Sequence, residues 1–388
     1  MSERFDVVIV GGAAMGASTA WHLACDLGFA GRVLVIEKDP SYARAATALS
    51  ASSIRRQFST AINVRVSGYG VALLRDAPAR LGIDASFREG GYLFLATDAG
   101  RATLAANHAV QTNEGADVVW LDPPALAAQF PWLARDGIAA GTWGRTGEGW
   151  FDGFGVMQAM RRASRAAGVT WRTAEVAAIE ASAGSATGVR LADGTAIDAG
   201  TVIVTAGTAT PELLRPFVDL PVRRRKRLIF YIRTPASLPG CPLLIDPTGV
   251  YIRPEGEGFI CGTAPPEEAD PDVAEDDFDV TPDFFEERVW PVLAARIPAL
   301  EHLRVERSWA GHYDLNTADH NALVGPVPGV AGLFAACGFS GHGIQQAPAI
   351  GRGLAELALH GRYLALDLAP LALGRLAEGR LVLERNVV

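Results

Sequence analysis

Hydrophobic runs and the residues that interrupt them divide this chain into alternating strands and helices. Val7-Val8-Ile9-Val10 is unbroken and β-branched, the pattern of a parallel strand buried on both faces. Glycines end it, and residues 17–27 carry the small and apolar side chains of a helix packed on a sheet. Residues 32–36 are a second buried strand, followed by Glu37. Residues 63–81 predict a helix stopped by Gly82, residues 87–96 a strand that begins a different region, and residues 99–115 a helix. Asp122-Pro123-Pro124 opens a short helix that Phe130-Pro131-Trp132 breaks, and the turn at 147–152 leads into a helix over 155–168. A strand at 169–172, a hairpin-like segment at 175–191 with 196–199, and a buried strand at 201–206 ending on Gly207 come next. That last strand is expected to rejoin the first sheet, which makes the first domain discontinuous. Residues 220–232, 250–253 and 258–262 predict strands of the second domain. Thr281-Pro282-Asp283 reads as a helix cap with proline at the first helical position, opening a helix to about residue 296. A strand at 333–337 then enters a glycine-rich turn and a helix over 344–359.

The 388 residues suit two domains, and 49% hydrophobic content supplies a sizeable core. With 35 basic and 43 acidic residues the net charge is −8, which argues against a nucleic-acid partner. Four cysteines (Cys25, Cys241, Cys261, Cys337) are far apart, so neither a disulfide framework nor a metal site is suggested. The uncharged run 7–25 lacks a positive flank and a cleavage site, and its glycines and His22 argue against a membrane span. A cytoplasmic protein without an integral span is the expectation.

Candidate chemistry sits at both ends of the chain. Strand, glycine turn, helix, strand and acid together form the βαβ dinucleotide fingerprint. A helix start offers N–H groups and a positive dipole end to a pyrophosphate, and Glu37 is placed to accept from a ribose diol. The spacing Gly11-x-Ala13-x-x-Gly16 carries alanine where a middle glycine is usual, so slightly altered contacts are expected. The bland alternative is another doubly wound protein in which Glu37 is a solvated strand end. Near the C-terminus, Gly338-Phe339-Ser340-Gly341-His342-Gly343 precedes a helix and offers a second anion-friendly start; a tight connection needing positive φ is the alternative. Between them, Arg223-Arg224-Arg225-Lys226-Arg227 reads either as a solvated edge strand or, by alternation, as a strand turning Arg225 and Arg227 towards a buried anion. The acidic stretch 267–279 reads as a mobile loop.

The segments 8–12, 33–37, 53–58, 150–152, 309–311 and 338–343, taken together, resemble the D-amino-acid-oxidase-like family of FAD-dependent amine oxidoreductases, which includes sarcosine oxidases, dimethylglycine dehydrogenases and D-amino acid dehydrogenases. The resemblance spans essentially the whole chain. It implies an α/β fold with a Rossmann-like FAD-binding domain of the glutathione-reductase type (1–84, 148–218 and 319–388) and an α+β substrate domain on an antiparallel sheet (85–147 and 219–318). It implies FAD held along Gly11, Gly12, Ala14, Met15, Gly16, Glu37 and Lys38, with the flavin near Ser50, Ser53, Ile54, Gly341, His342, Gly343, Ile344 and Gln345. Ala206, Gly207 and Gly338 complete the implied cofactor contacts. The implied reaction is oxidation of an amino-acid C–N bond, with Arg55 and Arg227 as carboxylate anchors, Tyr313 on the substrate side and His342 beside the flavin. Arg55 could instead make a surface ion pair or a cofactor contact. Gly311 stands where the sarcosine oxidases carry a flavin-linking cysteine, implying non-covalent FAD. Ile260 and Gln345 stand where they carry lysines for oxygen activation and carboxylate binding. The electron acceptor is therefore O2, a quinone or an electron-transfer protein. A scaffold protein that keeps FAD with little turnover is the competing reading.

Overall fold

The computed structural model describes residues 3–281 and 283–385. Pro282, expected to open a helix, lies outside them. Glu3–Val10 is the centre of an eight-stranded sheet, paired in parallel with Val33–Glu37 on one side and Ala196–Val204 on the other. Thr170–Thr173 extends the first side, and Leu333–Cys337 with antiparallel Leu323–Pro326 extends the second. The β-branched run predicted this position, since Val8 and Ile9 are wholly buried. Ala196–Val204 is one strand that continues through Gly200, with its first half also pairing with the ribbon Val176–Ser182 and Ser185–Leu191.

Two helices from opposite ends of the chain meet over this sheet. Ala14–Trp21 packs on Gly343–His360 at a distance set by Gly351, where a Cβ would collide with Ser18. Past Trp21 the first helix widens into a π-turn, His22–Asp26, with His22 bonded to Asp26 Oδ2 (2.8 Å) and to the Pro348 carbonyl (2.9 Å). The helix expected over 63–81 is two, Ala61–Arg75 and Ala77–Leu81. Pro78 lacks the N–H that would continue the ladder, and the axis breaks at Asp76.

The second sheet also has eight strands, in the order Arg304–Asn316, Val222–Arg233, Gly258–Thr263, Tyr251–Glu255, Leu243–Ile245, Tyr92–Ala96, Ala140–Gly144, Val118–Leu121. It is antiparallel except where Leu243–Ile245 meets Tyr92–Ala96. The strand expected from residue 87 begins only at Tyr92, because Gly91 (φ +84°) turns the chain first.

The cationic run overturns the solvated-edge expectation. Arg304–Asn316 is the outer strand, pairing with Val222–Arg233 along its length. On the other side of residues 223–227 lies the acidic segment itself, tied by a Val273 N–H bond to the Arg224 carbonyl (3.2 Å). Lys226 pairs with Asp277 (2.6 Å), Arg225 with Asp272 (3.1 Å) and Arg227 with Asp270 (2.7 Å). Opposite charges cover the run from Arg224 to Arg227 and leave Arg223 exposed, so the expected mobile loop is a strap pinned along the strand.

Candidate functional site

The first glycine turn is built for close backbone approach. Gly11 has φ +91°, and a Cβ there would lie 2.6 Å from the Thr205 carbonyl oxygen; a Cβ on Gly16 would overlap the Gly11 carbonyl oxygen. Thr205 locks the turn by donating its hydroxyl to the carbonyls of Val10 (3.1 Å) and Gly11 (2.9 Å), which sets Ala206 and Gly207 beside it. Ala13 gives the following helix no side-chain cap, and the Ala14 N–H reaches Thr47 Oγ1 at 3.2 Å. Met15 and Gly16 are buried in its first turn. Glu37 is aimed at the same turn: Oε2 accepts from the Gly12 N–H (2.8 Å) and Oε1 from the Asp39 N–H (2.9 Å). Lys38 turns away, to pair with Glu275 of the strap.

The other half of the site is assembled from distant segments. After the short helix Ala46–Leu49 the chain is extended at Ser50, takes φ +49° at Ser52, and pairs Ser53–Ile54 with Gly149–Trp150. The second sheet holds this stretch by its carbonyls. Trp309 Nε1 donates to Leu49 O (3.0 Å), and Arg253 donates through Nε (3.2 Å) and Nη2 (2.6 Å) to Ala51 O. Arg253 was not among the expected site residues, and its partner lies 202 positions away.

Opposite this stretch, the turn 338–343 is shaped by Gly338 (φ +70°), Ser340 (φ +51°) and Gly341 (φ +88°). Asp314 accepts from the Gly338 N–H (2.8 Å), and burial pushes its carboxyl up to about 6. The space where Gly341 lacks a side chain is filled by the Tyr313 ring. His342 opens the helix without a side-chain cap, so the N–H groups of its first turn have no intrahelical partner. Ile344 and Gln345 line a small apolar cavity with Ala14 and Ile54, which brings the two chain ends to one place. Gln345 is turned back towards the 53–57 segment, with Oε1 accepting from the Arg55 N–H at 2.8 Å.

Arg55 is almost wholly buried (3% exposed) and stacked over Phe58 (4.2 Å) and Phe94 (5.2 Å). It donates through Nη1 to the Gln57 carbonyl and approaches His342 Nε2 with Nη2 at 2.8 Å. A guanidinium only donates, so Nε2 accepts and the imidazole proton is assigned to Nδ1. Burial, and then the Arg55 charge, hold His342 well below the usual histidine range. This arrangement makes His342 a neutral partner of Arg55, with its Nε2 lone pair already used. Tyr313 has its hydroxyl pushed up by burial, against the opposing charges of Arg227 and Arg55. Arg227 stacks over the Tyr313 ring at 5.2 Å, with its fork on Asp270.

Beneath Arg55 lies a carboxyl that the sequence did not single out. Glu148 is buried, accepting from the Arg56 N–H (2.5 Å) and from Gln57 Nε2 (2.8 Å), and desolvation pushes it up to about 7. Gly144 makes room for it, since a Cβ there would overlap the carboxylate. Unfolded, the group ionises near 4.5; folded, it stays protonated to about 7, so native stability falls as pH rises across that window. Glu148→Gln removes this loss. Its stability relative to the parent is expected to rise by about 3 kcal/mol between pH 4.5 and 8, read as the pH dependence of the difference in urea midpoints. A pH-independent difference would contradict the assignment.

Among the described residues no helix is long and apolar enough to cross a membrane, and no cluster of three His, Cys, Asp or Glu could hold a metal ion. The glycine cradle, the aligned Glu37 and the second uncapped helix start suit a long dinucleotide bound from end to end.

The FAD dependent oxidoreductase family model matches residues 6–357. The chain is 39% identical to FAD-dependent oxidoreductase domain-containing protein 1 of Xenopus laevis, covering 100% of this chain and 85% of that one. It is 27% identical to glycine oxidase of Geobacillus kaustophilus over 97% of this chain and 98% of that protein. Among solved structures, L-proline dehydrogenase from P. horikoshii superposes with a TM-score of 0.86 at 27% identity, covering 98% of this chain and 100% of that one. The chain belongs to the FAD dependent oxidoreductase family, and FAD is its cofactor.

Proposed function

We propose that the protein oxidises the C–N bond of an amino acid, a secondary or N-alkyl amino acid or a D-amino acid, to an imine that water hydrolyses. Bound FAD supplies the hydride acceptor at flavin N5. The observation that carries the reading is Arg55, a cation buried between two phenylalanine rings beside the uncapped helix start of His342 and Gly343. A planar guanidinium held in that way suits a substrate carboxylate. His342 and the Gln57 carbonyl fix its plane, Tyr313 closes the side towards Gly341, and the helix start favours negative charge on the reduced cofactor. No side chain is required as a base, provided the amine arrives neutral. Relatives named as glycine oxidase, dimethylglycine dehydrogenase and L-proline dehydrogenase support the substrate class. Ile260, buried in Gly258–Thr263, stands where the resemblance gives an oxygen-activating lysine. On this reading a quinone or an electron-transfer protein is at least as good an acceptor as O2.

Anaerobic mixing with secondary, N-methyl and D-amino acids tests this. At least one should bleach the flavin band near ~450 nm, and acid precipitation of the same sample should release yellow FAD. In Arg55→Ala, loss of a charge-assisted bond should raise KM by about 10- to 100-fold with FAD content unchanged. No bleaching across the panel sinks the enzymatic reading and favours the scaffold; loss of FAD in Arg55→Ala reassigns that residue to the cofactor.

A further inference from the structure

The fork of Arg227 is already filled. Its Nη1 and Nη2 bind the two oxygens of Asp270 at 2.7 and 2.8 Å, and both side chains are one-tenth exposed. This pair faces the candidate site, because Arg227 lies over the Tyr313 ring and that ring packs against Gly341. The charges of Arg55 and Arg227 both bear on the Tyr313 hydroxyl.

We propose that Asp270 is a specificity-determining residue, a built-in carboxylate that occupies Arg227 and restricts the site to substrates with a single carboxylate. The inference rests on the amino-acid reading above, with Arg55 taking that one carboxylate. A guanidinium fork donates to one carboxylate in two-point geometry. A second substrate carboxylate would have to evict Asp270 or approach its negative charge in a poorly solvated site, and either is unfavourable. Eviction is opposed by contacts that do not involve the Asp270 side chain. The Asp270 carbonyl accepts from Arg225, whose Nη1 also pairs with Asp272, and Lys226 holds Asp277. Further along, Phe278 stacks on His312 (4.2 Å between centroids, planes 23° apart) and lies under Arg44. The strap thus delivers Asp270 from a lattice anchored on both halves of the molecule.

The test uses FAD-loaded enzyme and two inert probes, acetate with one carboxylate and malonate with two, titrated calorimetrically. Wild type should bind malonate no more than a few-fold more tightly than acetate. Asp270→Asn, which keeps the side-chain shape and removes its charge, should bind malonate about 10- to 100-fold more tightly than wild type does, with acetate changed less than about threefold. Adding Arg227→Met should cancel the gain. If Asp270→Asn does not yield folded holoenzyme, Asp270→Ser carries the same expectation. Malonate affinity unchanged in the single variant, a gain that survives Arg227→Met, or a wild type that already prefers malonate tenfold would each overturn the proposal. These outcomes do not depend on turnover. Flavin that no amino acid reduces removes the oxidation reading, whereas reduction with unaltered malonate binding removes only the role of Asp270.

Discussion

Gly16→Ala is expected to leave a folded, colourless protein with FAD affinity lowered at least ~100-fold, by loss of about two charge-assisted bonds. The added methyl would overlap the Gly11 carbonyl oxygen and come within 3.0 Å of Thr205 Oγ1. Neither can swing aside as a flexible side-chain tip could. Gly11 is held at φ +91° against the Thr205 backbone, and the Thr205 hydroxyl is committed to two carbonyls of the same turn. Relief must therefore come from moving the turn itself, whose N–H groups a pyrophosphate has to reach. Gly200→Ala is the control: it lies in a strand of the same sheet, and a Cβ there meets nothing within 4 Å. The ratio of 450 nm to 280 nm absorbance after incubation with excess FAD reads the outcome, with circular dichroism to confirm the fold. Stoichiometric FAD in Gly16→Ala would refute the cradle.

This half of the site was legible because its determinants are local. Val7 to Val10 specify a strand, Gly11 and Gly16 a turn without side chains, and Glu37 the end of the neighbouring strand. The helix start at Gly343 follows from local signals too, since its glycines take the positive φ that the turn requires. What escaped depends on partners far along the chain. The five cations and the acidic stretch were each visible, yet read separately one suggests a solvated strand and the other a loop. Lys226 and Asp277 are 51 positions apart, and no periodicity encodes their register. Glu148 and Arg253 escaped for the same reason. Each is a charged residue in unremarkable local sequence, made consequential by burial beside Arg55 or beneath Ala51.

The C-terminal segment contributes in a way that only the packed structure reveals, and Arg375→Ala should expose it with the largest stability loss, about 3–5 kcal/mol. Arg375 and Asp319 are both fully buried and joined at two points, Nε to Oδ2 (3.0 Å) and Nη2 to Oδ1 (2.9 Å). Nη1 also donates to the carbonyls of Ala322 (2.9 Å) and Leu371 (2.8 Å). Deleting the guanidinium leaves a carboxylate with no cation in a dry interior, and that uncompensated charge, more than the lost contacts, sets the cost. Asp319 also accepts from Asn316 Nδ2 (2.7 Å) and the Val382 N–H (3.0 Å), and the Asn316 N–H donates to Ser340 Oγ (3.1 Å). The defect therefore reaches the glycine turn proposed to face the flavin. It also reaches Glu384, which accepts from the Ser59 N–H (2.8 Å) and Asn63 Nδ2 (3.0 Å) where the helix Ala61–Arg75 begins. Against a typical stability of about 5–15 kcal/mol, the variant should unfold about 4–6 °C lower and lose FAD more readily on dilution. Replacing both partners, Arg375→Met with Asp319→Leu, removes the charge as well as its counter-ion and should recover part of the loss. A melting temperature within about one degree of the parent for Arg375→Ala alone (about 1 kcal/mol or less) would show that the pair does not hold the tail to the turn.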